Sequence, residues 1–215
     1  MLHVLTDNWD IFGRAFATTI KLFVVGAIGS LILGVLLGAF RVSPVPVLRG
    51  VAGTYVNIMQ NTPLTLVFAF MAFAVPKLEV DLDYLTGAYV ALIVYTAAFI
   101  CEVVRSGINT VPAGQAEAAR AVGMTFPQVL RIVVLPQAMR SMVAPTMSML
   151  IALLKNTTVA AGFSVLESGA IPAYMSERGE PQLPVLVWIT IGFLLIIVPL
   201  VLLQRYLERR WSVAR

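Results

Sequence analysis

Three short polar stretches hold the side chains of this 215-residue chain that could do chemistry. They are Glu117-Ala118-Ala119 followed by Gly123, Asn61-Thr62 before Pro63, and Lys155-Asn156-Thr157-Thr158. A carboxylate flanked by small residues suits a charged contact with another surface, giving orientation and specificity more than affinity. Amides and hydroxyls beside an ammonium suit the capture of a polar solute, the ammonium taking a carboxylate. ATP hydrolysis by this chain is excluded, because a phosphate-binding loop needs Gly-Lys followed by Ser or Thr. The lysines are Lys21, Lys77 and Lys155, and none follows a glycine. No Cys/His cluster supports a metal. The one cysteine, Cys101, lies in an apolar run, and His3 stands alone near the N-terminus.

These stretches must be positioned by elements that suit a very apolar chain. Hydrophobic residues make up 59% and charged residues only 12%, against about a quarter charged in a soluble domain. Five apolar segments can be read, over about 17–40, 54–75, 85–104, 141–165 and 183–203. Each is near the twenty or so residues that a helix needs to cross the hydrocarbon core. Lipid cannot satisfy an exposed backbone, so the expectation is an all-α integral membrane protein of about five transmembrane helices, forming one domain. Asp7 and Asp10 precede the first apolar run, so the N-terminus is not read as a cleavable signal peptide.

The net charge of +4 is explained by topology rather than by nucleic acid. Arg41 and Arg49 lie between segments one and two. Arg105, Arg120, Arg131 and Arg140 lie between three and four, and Arg205, Arg209, Arg210 and Arg215 follow five. The other side carries Lys77 and Arg178 among Glu79, Asp81, Asp83, Glu167, Glu177 and Glu180. Positive residues stay inside, so the N-terminus is expected outside, and the C-terminus and the Glu117 loop in the cytoplasm.

Within that frame, Asn61 lies about 18 Å beyond Arg49, and Lys155 about 22 Å beyond Arg140, at the rise of a helix. Two polar breaks therefore share one depth near the midplane, as in transporters that hold solutes between interrupted helices. Pro63 removes an intrahelical hydrogen bond that Asn61 and Thr62 can replace. Lys155 costs at least about 2.5 kcal/mol in a span and must face a cavity or a partner. It can hold a substrate carboxylate, with Asn156, Thr157 and Thr158 as neutral donors. It can also pair with backbone carbonyls or with Glu102. Glu102 and Arg105, three apart on one helix face, are expected to form an ion pair. Gly26, Ser30, Gly34 and Gly38 recur every four residues in the first segment. They would admit a close neighbour, either within the chain or in another subunit. Pro145 and Pro199 are expected to kink their helices.

The loop over about 106–140 reads as two short helices. Residues 112–122 favour a helix that can start at Pro112. Gly123 suits its C-terminal end, and Phe126-Pro127 opens a second helix running to Leu135-Pro136. The pair forms either a protruding knob with a glycine elbow or an amphipathic loop on the membrane surface.

Glu117-Ala118-Ala119, then Gly123, then Ile132 through Leu135-Pro136 resembles the EAA loop of ABC importer permeases. Residues 95–123 are similar to the polar amino acid uptake branch of that family, as are Asn61-Thr62-Pro63-Leu64 and the residues from Leu153 to Thr158. Arg41-Val42-Ser43-Pro44-Val45 adds a likeness to glutamate-uptake permeases. The resemblance implies that Glu117, Ala118, Ala119, Gly123 and Pro136 couple the chain to an ATPase, whose groove would take the first loop helix. It implies a second permease subunit, identical or homologous, two cytoplasmic ATPase subunits carrying ATP and Mg, and an extracytoplasmic amino-acid-binding protein. This chain would itself bind no cofactor. It would sit among lipid as a multi-pass protein of a bacterial plasma (inner) membrane and carry glutamate, or another polar or basic amino acid such as glutamine or arginine. An ion-coupled secondary transporter using Glu102 or Lys155 is the competing expectation.

Overall fold

A computed structural model describes residues 2–211, and every regular element among them is helical. α1 (Leu2–Asp7) leads into α2 (Trp9–Arg41), then α3 (Pro46–Gln60) and α4 (Leu64–Ala69). After α4 come a π-helical stretch, Phe70–Ala74, and a 3-10 turn, Val75–Leu78. α5 (Tyr84–Asn109) is followed by α6 (Ala113–Ala121) and α7 (Phe126–Gln128). A second π-helical stretch, Val129–Val134, runs into α8 (Leu135–Asn156) and the 3-10 segment Thr157–Phe163. α9 (Ile171–Glu177) and α10 (Gln182–Trp211) complete the described residues.

Four of these helical runs are long and apolar enough to cross a membrane: α2, α5, the rod Phe126–Phe163 and α10. The expected second span is bent instead, with Pro46–Gln60 and Leu64–Leu78 meeting at 101°. The cause is local, since Pro63 offers no N–H to the turn before it and its neighbours must find other partners.

The loop differs from the expected pair of short helices. α7 does not stop at Pro136 but continues through the π-helical stretch into α8. A proline ring clashes with the carbonyl four residues back, and a π turn displaces that carbonyl. The same device appears earlier, where Phe70–Ala74 is π-helical just ahead of Pro76. α8 and α10 likewise continue through Pro145 and Pro199.

The small-residue row of α2 packs inside the chain. Gly26, Ser30, Gly34 and Gly38 are all buried; Gly34 and Gly38 meet α5, while Gly26 lies nearest Leu153 of α8. A Cβ on Gly34 would stand 2.5 Å from Ile100 Cβ, and one on Gly38 2.6 Å from Val104 Cβ. The α2–α5 seam is therefore a backbone-close contact of the kind small residues permit. A core of Leu22, Leu64, Phe68, Leu92, Leu153 and Ala160 continues it towards the two polar breaks. A second cluster, Leu37, Ala52, Val56, Ala97, Ala98 and Cys101, holds α3 against the pair.

Candidate functional site

The loop helix is short, exposed and firmly ended. Glu117 and Ala118 face outward on α6, whereas Ala119 is buried. α6 packs on the π-helical stretch, whose buried residue is Val129. The smallness of Ala119 thus serves the inner face of α6, and the outward face belongs to Glu117 and Ala118. Gly123 takes φ +90°, with its N–H on Arg120 O at 3.0 Å and that of Met124 on Ala119 O at 3.1 Å. This is the paired Schellman ending, and a left-handed residue there is normally glycine. Thr125 then donates its N–H and hydroxyl to Gln128 Oε1 at 2.8 and 2.9 Å, fixing the start of α7. Pro136 is exposed in the first turn of α8.

Both ends of the loop are pinned to the rod. Gln137 Nε2 on α8 donates to Gln115 Oε1 on α6 at 2.5 Å and to Val133 O at 2.8 Å. Thr110 Oγ1, just past α5, reaches Ser141 Oγ at 3.1 Å. α6 is thus bonded to α8, and α8 to the end of α5.

The segments that follow the two polar breaks pack against each other. α4, which follows Asn61-Thr62-Pro63, lies against the 3-10 segment that follows Lys155-Asn156. The rings of Phe68 and Phe163 stack there at 5.4 Å. Asn61 Nδ2 donates to Asn57 O and Thr62 Oγ1 to Ile58 O, each at 2.7 Å. The carbonyl that Pro63 itself leaves, Met59 O, accepts from the Thr62 backbone N–H at 3.4 Å; the two side chains cap the carbonyls just before it, and Asn61 remains exposed. Lys155 is exposed in the last turn of α8, where a cation is favoured by the helix dipole. Among the described residues no carboxylate pairs with it. Thr158 Oγ1 caps Lys155 O, and the buried Thr157 caps Leu154 O, both at 2.8 Å. Asn156 is half-buried.

Glu102 belongs to a different group. Its Oε2 accepts from Arg105 at 2.7 Å, as the spacing predicts, and its Oε1 from Arg41 Nε at 3.4 Å. Arg41 ends α2 and lies sixty-one residues away, so no local spacing could reveal it. Glu102 also lines a cleft of about 310 Å³ with Gln60, Ser106, Thr110 and Ser141.

A buried carboxylate was equally hidden. Glu167 is fully enclosed, accepting from Gly169 N at 2.7 Å, Ser168 Oγ at 3.0 Å and Thr19 Oγ1 at 3.3 Å. Burial pushes its pKa above the usual carboxylate value despite those donors. Counted by charge alone, it was one exterior acid among several.

The comparisons agree with this architecture. A family model described as the binding-protein-dependent transport system inner membrane component matches residues 30–213. The glutamate transport system permease protein GluC of Corynebacterium efficiens is 42% identical, covering 86% of this chain and 87% of its own. GluC of Corynebacterium glutamicum is 38% identical, covering 94% of each. A crystal structure of an amino acid ABC transporter with histidines superposes with a TM-score of 0.90 at 21% identity, over 96% of each chain. This chain is a multi-pass membrane protein, a permease subunit rather than a catalyst, and belongs to the inner-membrane components of binding-protein-dependent transport systems.

Proposed function

We propose that this chain is the permease half of an ATP-driven importer for glutamate. Likeness to two glutamate permeases over nearly their full length carries the substrate reading. The exposed Lys155 supports it, offering a cation for a carboxylate, and Asn61 at the other break is likewise exposed. Asn156, Thr158 and Thr62 complete the polar lining, and Thr157 stands behind it as a cap.

Two such permeases, identical or homologous, enclose one path between an extracytoplasmic amino-acid-binding protein and two cytoplasmic ATPases. The binding protein delivers solute while the pair is open outward. ATP and Mg act on the ATPases, whose closure pushes α6 through Glu117 and Ala118. The hydrogen bonds from Gln137 and Thr110 pass that push to α8 and α5, and the breaks at Asn61 and Lys155 exchange access.

The test is reconstitution in liposomes with the cognate ATPase and binding protein. Labelled glutamate is expected to accumulate only with ATP and both partners. Uptake driven by an ion gradient without the ATPase would overturn the coupling. Accumulation of glutamine or arginine in place of glutamate would overturn the substrate.

A further inference from the structure

We propose that Arg41 is a positioning residue that ties α3, and hence the Asn61 break, to the helix pair driven by the loop. This rests on the coupling reading above and names the residue that would transmit it. The α2–α5 pair is locked along the seam described above, so it moves as one body. α5 leads within a few residues into α6, so the pair receives whatever the loop receives. α3 is held by smaller contacts, and its far end carries Asn61.

Arg41 joins these parts. Its Nε reaches Glu102 on α5 at 3.4 Å, and its Nη1 occupies the space above Gly53 on α3, where any Cβ would collide with it. One guanidinium, carried by α2, thus reaches both α5 and α3. Arg105 alone is enough to neutralise Glu102, at 2.7 Å, so the second arginine is not needed for charge balance. What it adds is the reach to α3. From Gly53 to Asn61 is eight residues, about 12 Å along the helix, so a shift at Arg41 arrives at the break through one rigid segment.

Gly53→Ala provides a test that leaves all three charges in place. The methyl displaces the tip of a flexible side chain rather than backbone. Gly50, on the same helix, faces open space and serves as control. ATP hydrolysis and solute uptake are measured on the full complex in liposomes for wild type, Arg41→Ala, Gly53→Ala and Gly50→Ala. Arg41→Ala and Gly53→Ala are expected to keep ATP hydrolysis near the wild-type rate. The ATP used per solute should rise about tenfold, a modest coupling free energy between sites. Gly50→Ala should match wild type. An unchanged ratio in the first two variants would overturn the proposal. So would a proportional fall of hydrolysis and uptake, which marks a merely structural ion pair. A wild-type complex without ATP-dependent uptake would instead overturn the proposed function itself.

Discussion

Replacing Gly34 by alanine puts the α2–α5 seam under a measurable load. The new Cβ would lie 2.5 Å from Ile100 Cβ, 2.6 Å from Ile100 Cγ2 and 3.0 Å from Ala97 O. Ordinary contact begins near 3.4 Å, so the helices must part by roughly 1 Å, because the root of a side chain and a backbone carbonyl cannot rotate away. Overpacking of this kind costs about 1–3 kcal/mol. Alanine also gains about 1 kcal/mol over glycine in helix propensity. Gly13→Ala on the same helix meets nothing within 4 Å, so the difference between the two variants cancels propensity and isolates the clash. At roughly 2–4 °C per kcal/mol for a chain of this length, Gly34→Ala should melt a few to about ten degrees below Gly13→Ala. The assay is thermal unfolding of the purified permease in one detergent. Gly38→Ala should behave like Gly34→Ala, because it meets Val104 at its Cβ, 2.6 Å away. Gly29→Ala should be milder, since it meets the rotatable tip of Ile93 at 2.5 Å. Gly26→Ala, at 3.4 Å from Leu153 Cδ1, should resemble Gly13→Ala. Equal midpoints for the Gly34 and Gly13 variants would refute the seam.

Three further outcomes are expected. Lys155→Met should weaken glutamate transport by roughly 10- to 150-fold in apparent affinity, the loss of one charged hydrogen bond, with less effect on a neutral amino acid; competition uptake measures both. Glu117→Lys should leave the permease inserted but separate ATP hydrolysis from uptake, and normal ATP-dependent uptake would count against docking through α6. Glu167 has a raised folded-state pKa, so its contribution to stability is fully present below the unfolded value near 4.5. It is lost as pH rises through the folded value. Glu167→Gln should therefore flatten that part of the pH dependence in melts from pH 4 to 8. Glu167→Ala should cost about 1–3 kcal/mol throughout, by stranding the N–H of Gly169.

How far the sequence could be read follows from where each cause lies along the chain. Pro63 announces its break because the missing N–H acts on the turn beside it, and Asn61 and Thr62 are the residues able to cap it. Gly123 announces the end of α6 for the same local reason. Pro136 does not end its helix, because the π-helical stretch before it absorbs the ring, and no residue type there announces a π turn. Ala118 and Ala119 are chemically identical, and only the docking of α6 on the π-helical stretch distinguishes outward from inward. Lys155 showed that it needed surroundings other than lipid, but Glu102, its apparent partner, had already been taken by Arg41 and Arg105.

The seam marks the boundary between these two kinds of information. Spacing by four in α2 shows that a face exists and that something approaches it closely, but a period carries no address. The address lies in the partner's shape. Ile93, Ile100 and Val104 of α5 place β-branched side chains on one face, and branching at Cβ puts bulk close to the backbone, where only a glycine can receive it. Matching that row against Gly29, Gly34 and Gly38 selects α5 in register, since the pairs advance by five and four residues on α2 and by seven and four on α5. The unequal first step falls at Ile93, whose reaching atom is a flexible tip, and the equal step joins the two pairs that meet at rigid roots. The rigid half of the seam is therefore the half nearest Arg41 and Glu102, whose ion pair joins the same two helices.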